Sequence, residues 1–167
     1  LKFQEEHYLE IFIEAILRSL EDLQGSTLVV GGDGRYGNIE AIEKIVQICV
    51  AHKVQKIIVP KNGLLSTPAT SHLIRKENAI GGIILSASHN PGGIDGDFGV
   101  KLNISNGGPA PEIITNKIFK SSQLLTSYKI SKIKLPDFSE YGTYIYEETT
   151  LEVIDGLEDY SNLMEKI

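Results

Sequence analysis

Tryptophan is absent from the 167 residues, and cysteine and methionine occur once each. The lone thiol, Cys49, has no partner for an internal disulfide, which favours a reducing, cytoplasmic setting. No run approaches the ~20 consecutive apolar residues that a spanning helix needs, and no basic-then-apolar leader opens the chain, so neither membrane insertion nor secretion is expected. Basic residues are outnumbered, 16 Lys and Arg against 22 Asp and Glu, for a formal net charge of −6. There is no long basic tract, which argues against nucleic acid as a partner while leaving room for a local positive pocket that takes a small anion. Internal repeats and low-complexity tracts are missing too.

What remains is an ordinary globular composition, 41% hydrophobic and 23% charged, enough to bury a core. Apolar residues at helical spacing (Tyr8, Ile11, Phe12, Ala15, Ile16) predict a helix over 7–23 with Gly25 as its stop. A short β-branched run, Thr27–Val30, reads as a buried strand. A helix follows over 38–52, with Ile42, Val46 and Cys49 on one face, then a strand over 56–59. Thr67-Pro68 predicts a helix start, with Thr as cap and Pro in the first turn, running to about 78. Residues 80–85 read as another apolar strand. Residues 98–104 alternate strictly, with Phe98, Val100, Leu102 and Ile104 on one face and Lys101 on the other. Pro111 and Glu112 open a further helix with Ile114 and Ile118 inward. Residues 126–149 read as a linker or irregular excursion, followed by a strand to 154 and a final helix capped by Asp155.

Alternating helices and strands predict a three-layer α/β domain, helices on both faces of a mixed, mostly parallel sheet. In such sheets the working loops lie at the carboxyl ends of strands. The segment 86–97 is at such an end, and it opens with Ser86-Ala87-Ser88-His89-Asn90-Pro91-Gly92-Gly93. Two hydroxyls, an imidazole, a carboxamide and two glycines fall within these residues. Glycines let backbone N–H groups approach an anion, and a serine beside a histidine can act as a nucleophile. By composition alone the same residues also make an ordinary turn.

This octapeptide resembles the phosphoserine loop of the α-D-phosphohexomutase family. Four more stretches match that family's phosphoglucomutase branch in order and spacing: 29–35 (VVGGDGR), 62–69 (NGLLSTPA), 81–85 (GGIIL) and 97–112 (DFGVKLNISNGGPAPE). The resemblance implies that residues 1–125 form domain I with the phosphoserine loop, that 126–149 link it onward, and that 150–167 open a second domain. It implies an intramolecular phosphotransferase of carbohydrate metabolism, interconverting glucose 1-phosphate and glucose 6-phosphate through a phosphoserine and a glucose 1,6-bisphosphate intermediate. Ser88 then holds the phosphoryl group and, through that phosphate, a ligand to Mg²⁺. His89 assists as its catalytic neighbour, and Lys101 and Asn90 contact substrate.

The resemblance also implies that a substrate-contacting arginine loop precedes Leu1 and that the metal loop, sugar loop and a last phosphate loop lie on later domains. This piece alone is then expected to be inactive. Mannose or N-acetylglucosamine phosphate as substrate, or a non-catalytic phosphoprotein of the same fold, are the alternatives. Oligomeric state is not legible.

Asp33-Gly34-Arg35 and Asp95-Gly96-Asp97 invite a metal reading. The favoured alternative is that Arg35 braces the loop by ion pairing and Asp97 satisfies loop amides. His7, His52 and His72 are read as surface or capping residues, Cys49 as core, and Gly107-Gly108-Pro109 as a turn. Lys61 and Arg75 are read as solvated.

Overall fold

A computed structural model of the chain describes residues 2–167. Among the described residues, five α-helices and six strands alternate: α1 (Tyr8–Ser19), β1 (Thr27–Gly32), α2 (Asn38–Ala51), β2 (Lys56–Pro60), α3 (Thr67–Lys76), β3 (Gly81–Leu85), β4 (Val100–Ile104), α4 (Glu112–Leu124), β5 (Gly142–Tyr146), β6 (Thr149–Ile154) and α5 (Glu158–Met164). The strands form one sheet in the order β4-β3-β1-β2-β6-β5. Its inner pairs, β3–β1, β1–β2 and β2–β6, are parallel, and the outer pairs, β3–β4 and β5–β6, are antiparallel. The mixed, mostly parallel sheet expected from the sequence is therefore what forms.

Two apolar layers sandwich it. On one face α1, α2 and α4 bury Ile13, Ile16, Leu17, Ile42, Ile45 and Ile118 against Leu28, Val30, Ile57 and Ile83. On the other, α3 buries Ala69, Leu73 and Ile74 against Val29 and Ile58, with Tyr160 of α5 alongside. Consecutive β1 residues thus point into opposite layers, as the period of two requires. Each buried Val, Leu or Ile side chain contributes roughly 1.5–3 kcal/mol relative to exposure. Cys49 is fully buried in the larger layer, and burial pushes its thiol up to about 12. None of the described helices is long and apolar enough to cross a membrane.

Several boundaries differ from the sequence reading, each for a local reason. The first helix stops at Ser19, whose hydroxyl donates to the Ile16 carbonyl at 2.6 Å while Leu20 turns extended. The cap of α3 is Ser66, not Thr67. Its hydroxyl accepts from the Ala69 N–H at 3.3 Å, and Pro68 takes the first turn as expected. The N-cap of α5 is Leu157, not Asp155, although the Asp155 carboxylate steadies the start of the helix by accepting from the N–H groups of Leu157 and Glu158 at 2.9 and 3.1 Å.

The stretch 126–149 contains a strand, β5, and is fastened elsewhere. From 126 to 138 it lies along α1 and α2 as a strap. Lys129 N–H donates to Glu14 Oε2 at 3.1 Å, Ser131 N–H to the Gln47 carbonyl at 3.0 Å, and Gln47 Nε2 to the Ile133 carbonyl at 3.2 Å. Tyr128 Oη meets His7 Nδ1 at 2.9 Å. The strap ends with Phe138 in the core and its carbonyl accepting from Asn62 N–H at 2.7 Å. Past it, β6 pairs in parallel with β2 across five residues, Lys56 to Pro60.

Glu14 is the strap's buried anchor. Burial by itself raises its carboxyl, but the His52 imidazole and the Arg18 guanidinium, each at 2.8 Å, together with the Lys129 amide, hold it below its ordinary 4.5. Removing one partner of a buried, hydrogen-bonded charge cluster leaves the others unpaired. Glu14→Ala is therefore expected to lower stability by about 3 kcal/mol in urea titrations. The carboxylate's contribution is full above the unfolded-state value near 4.5 and is lost as pH falls through the lower folded-state value. The gap between the wild type and Glu14→Gln should accordingly narrow on acidification, and a gap that widens below that pH contradicts this role.

Candidate active site

The sheet order places the site. From β1 the chain moves to β2 on one side and then crosses back to β3 on the other. The carboxyl ends of β1 and β3 therefore flank the point where the connections diverge, the usual crevice of an open α/β sheet. The loop after β1 carries Asp33, Gly34 and Arg35, and the loop after β3 carries Ser86 to Asp97. Backbone bonds from Asp33 N–H to the Leu85 carbonyl, 3.0 Å, and from Ser86 N–H to the Gly99 carbonyl, 2.9 Å, tie both loops to the antiparallel β3–β4 pair. At Gly99 a Cβ would sit 2.5 Å from the Ser86 carbonyl oxygen, so only glycine permits this approach.

Ser88 is exposed and has φ +57°, a left-handed conformation that side chains other than glycine, asparagine and aspartate rarely adopt. Such a residue costs about 1–3 kcal/mol and persists only where its surroundings over-determine it. Here they do. Ser88 N–H donates to Ser86 Oγ at 3.1 Å, and the Ser88 carbonyl accepts from Arg35 Nη2 at 3.4 Å. Lys101 of β4 reaches across, its Nζ donating to Ser88 Oγ at 2.8 Å. The alternation of β4 explains this. Leu102 is buried toward the larger core, so Lys101 projects from the opposite face beside the loop.

Of the residues singled out in the sequence, the structure brings Ser88 and Lys101 into direct contact. His89 and Asn90 are adjacent and exposed, within a turn closed by Asn90 N–H on the Ala87 carbonyl at 3.1 Å. No hydrogen bond of the His89 or Asn90 side chain to Ser88 or Lys101 is formed among the described residues. A cavity of about 550 Å³ along β4 is reached by Lys101 and Asn103, but its wall is largely apolar, made by Phe12 and Ile16 of α1, Val100 and Leu102 of β4 and Ile118 of α4.

Arg35 does brace the loop. Its guanidinium holds the Asp33 carboxylate through Nε at 2.9 Å and Nη2 at 2.7 Å, while Nη1 donates to the Asp97 carbonyl at 2.6 Å. It is thus the backbone carbonyl of Asp97 that takes part, in place of the carboxylate the sequence suggested. The Arg35 guanidinium, and after it the Ser86 hydroxyl, keep the Asp33 carboxyl below its usual range despite partial burial. The part of Ser86 in this network had no distinct signal in the sequence beyond its place in the octapeptide. His52 bonds Glu14, and Lys61 lies 5.0 Å over the Tyr141 ring, so it has an aromatic neighbour as well as solvent.

No group of three or more His, Cys, Asp and Glu side chains stands together as a metal centre would need among the described residues. With its carboxylate engaged by Arg35, Asp33 is not free to ligate, and Lys101 already places a cation on Ser88 Oγ. The residues present do not make a Mg²⁺ site by themselves.

A family model described as phosphoglucomutase/phosphomannomutase, alpha/beta/alpha domain I, matches residues 2–129. A phosphoglucomutase of Aspergillus fumigatus is 50% identical over 166 residues, covering 99% of this chain and 30% of its own length. One of Rhizobium radiobacter is 50% identical over 165 residues with the same coverages, 99% and 30%. Among solved structures, the open form of the exocytosis-sensitive phosphoprotein pp63/parafusin from Paramecium, a phosphoglucomutase, superposes with a TM-score of 0.92 at 39% identity, over 97% of this chain and 32% of that one. The chain thus spans about a third of the length of the relatives it matches. With a domain-I model over most of its length, half its residues shared with curated relatives and the same six-stranded architecture, the chain belongs to the phosphoglucomutase/phosphomannomutase family.

Proposed function

We propose that this chain is the phosphoserine-bearing part of a phosphoglucomutase, an intramolecular phosphotransferase that interconverts glucose 1-phosphate and glucose 6-phosphate. The observation that carries the reading is the exposed Ser88 Oγ with the Lys101 ammonium donating to it at 2.8 Å, at the carboxyl end of a parallel sheet. Relatives bearing the phosphoglucomutase name at 50% identity support it.

In this reading phospho-Ser88 is the resting form. A sugar hydroxyl attacks phosphorus, its proton passes to a base, the new P–O bond forms to the sugar and the bond to Ser88 Oγ breaks. The leaving oxygen gains negative charge as it departs, and Lys101 Nζ already donates to that oxygen, so the interaction strengthens toward the transition state. Glucose 1,6-bisphosphate then presents its other phosphate, which Ser88 takes back by the reverse bond exchange. His89 and Asn90, beside Ser88 on the exposed turn, are suited to contact the phosphate and sugar oxygens.

Mg²⁺, when bound, supplies charge neutralisation on the non-bridging oxygens. This chain contributes to it at most an oxygen of the Ser88 phosphate, the remaining ligands being required from elsewhere. A cytoplasmic location fits the buried single thiol and the substrate class.

The test is a coupled assay of the complete polypeptide on glucose 1-phosphate, mannose 1-phosphate and N-acetylglucosamine 1-phosphate. A kcat/KM highest for glucose 1-phosphate supports the reading. Preference for another sugar phosphate moves the assignment within the family, and no turnover of any of them refutes it.

A further inference from the structure

The loop carrying Ser88 is held from both ends by one small network. Its Ser88 end is fixed by Ser86, whose hydroxyl accepts from Ser88 N–H at 3.1 Å. The same hydroxyl helps Arg35 to keep the Asp33 carboxyl below its usual range. Its far end is fixed by Arg35, whose Nη1 donates to the Asp97 carbonyl at 2.6 Å. The same guanidinium donates to the Ser88 carbonyl at 3.4 Å and is gripped by Asp33 at 2.7–3.1 Å, while the Arg35 backbone N–H donates to Asp33 Oδ1 at 3.2 Å. The Arg35 side chain is only 8% exposed, so its fork is committed to these partners. Ser86 is likewise buried, at 9%. The network encloses the one residue of the loop, Ser88, that sits in a strained left-handed conformation.

We infer that Ser86, Asp33 and Arg35 are positioning residues that set the direction of Ser88 Oγ toward Lys101 and the substrate, acting on the chemical step and not on substrate affinity. This rests on the reading of Ser88 as the phosphoryl carrier. Peptide N–H and C=O of Ser88 are both engaged, so its φ and ψ are specified from two sides and its Oγ has one direction. Without the Ser86 hydroxyl the Ser88 amide loses its partner, and the residue can relax to the more favourable right-handed or extended region. Oγ would then swing away from Lys101. A misplacement of about 1 Å at a reacting atom can lower the rate about 100-fold. Because the three side chains spend their polar atoms within the loop network itself, binding of the sugar phosphate should be little changed.

The experiment uses the complete polypeptide, with steady-state kinetics on glucose 1-phosphate, thermal melting, and quantification of phosphoserine by intact-mass measurement. Ser86→Ala is expected to lower kcat about 100-fold with KM and melting temperature near wild type, and Ser86→Thr, which keeps the hydroxyl, to restore most of the rate. Arg35→Lys is expected to lower kcat as well, since a single ammonium cannot span a carboxylate and two carbonyls. Should that variant fail to fold, Ser86→Ala and its threonine rescue still decide the matter. Ser88→Ala is run alongside. If it is inactive while Ser86→Ala turns over at the wild-type rate, or if Ser86→Thr is as slow as Ser86→Ala, the positioning role is wrong and the carrier reading stands. If Ser88→Ala is itself active, the carrier reading falls, and this inference with it.

Discussion

Ser88→Ala is expected to lower turnover of the complete polypeptide on the order of 10⁴-fold or more, the scale seen when a covalent nucleophile is removed. If the phosphoryl group is parked on Ser88 Oγ between the two half-reactions, no other atom of this loop can replace it. Ser86 is buried with its hydroxyl already occupied, and the Lys101 ammonium and His89 imidazole stand beside the serine without matching its placement. The alanine methyl leaves the loop's backbone bonds in place, because Ser88 engages Ser86 and Arg35 through its N–H and C=O. The variant should therefore fold and melt like the wild type, so that a rate loss reports chemistry. A variant that keeps more than about a tenth of wild-type kcat would contradict a covalent role.

Lys101→Met should give the second largest effect, a fall in kcat of about 10²- to 10³-fold, the range for removing one preorganised donor from a developing oxyanion. Methionine keeps the length and apolar stem but not the charge. Lys101 makes its 2.8 Å bond to the atom that gains charge when the phosphoryl group leaves, so the loss should fall mainly on kcat. Lys101→Arg retains a cation, but a wider and planar one, and should recover only part of the rate. The measurement is a paired determination of kcat and KM for the three proteins. A rise in KM with unchanged kcat would instead make Lys101 a contact for the ground-state substrate.

Much of this is legible in the amino-acid sequence alone. The β-branched run at Thr27–Val30 reads as a buried strand and the apolar 80–85 as another strand, and both form, as β1 and β3. The alternation through Val100–Ile104 put Lys101 opposite Leu102, and that is why the lysine is free to reach the loop after β3. Arg35 as a brace was also legible, because Asp-Gly-Arg places an acid and a base two residues apart.

Other features depended on long-range geometry that no local pattern encodes. Strand β5 is joined to β6 by a two-residue turn of Glu147 and Glu148, where Glu147 takes φ +53°. The usual signal for such a turn is Asn-Gly or Asp-Gly, so the pair reads as polar linker. The strap over 126–138 has no periodicity at all. It is held by Glu14 and Gln47, more than eighty residues earlier, and a buried glutamate on α1 looks in sequence like any helical surface acid. The role of Ser86 depends on Ser88 turning left-handed, which a serine seldom does.

The most direct measurement is intact-mass and peptide mapping of the complete polypeptide after incubation with glucose 1,6-bisphosphate. When the glucose 1,6-bisphosphate carries isotope-labelled phosphate, a single labelled phosphoryl group located on Ser88, exchanged for an unlabelled one when unlabelled glucose 1-phosphate is added, is the expected result. A phosphate on any other residue, or none under conditions where the enzyme is turning over, would show that the hydroxyl facing Lys101 does not carry the reaction.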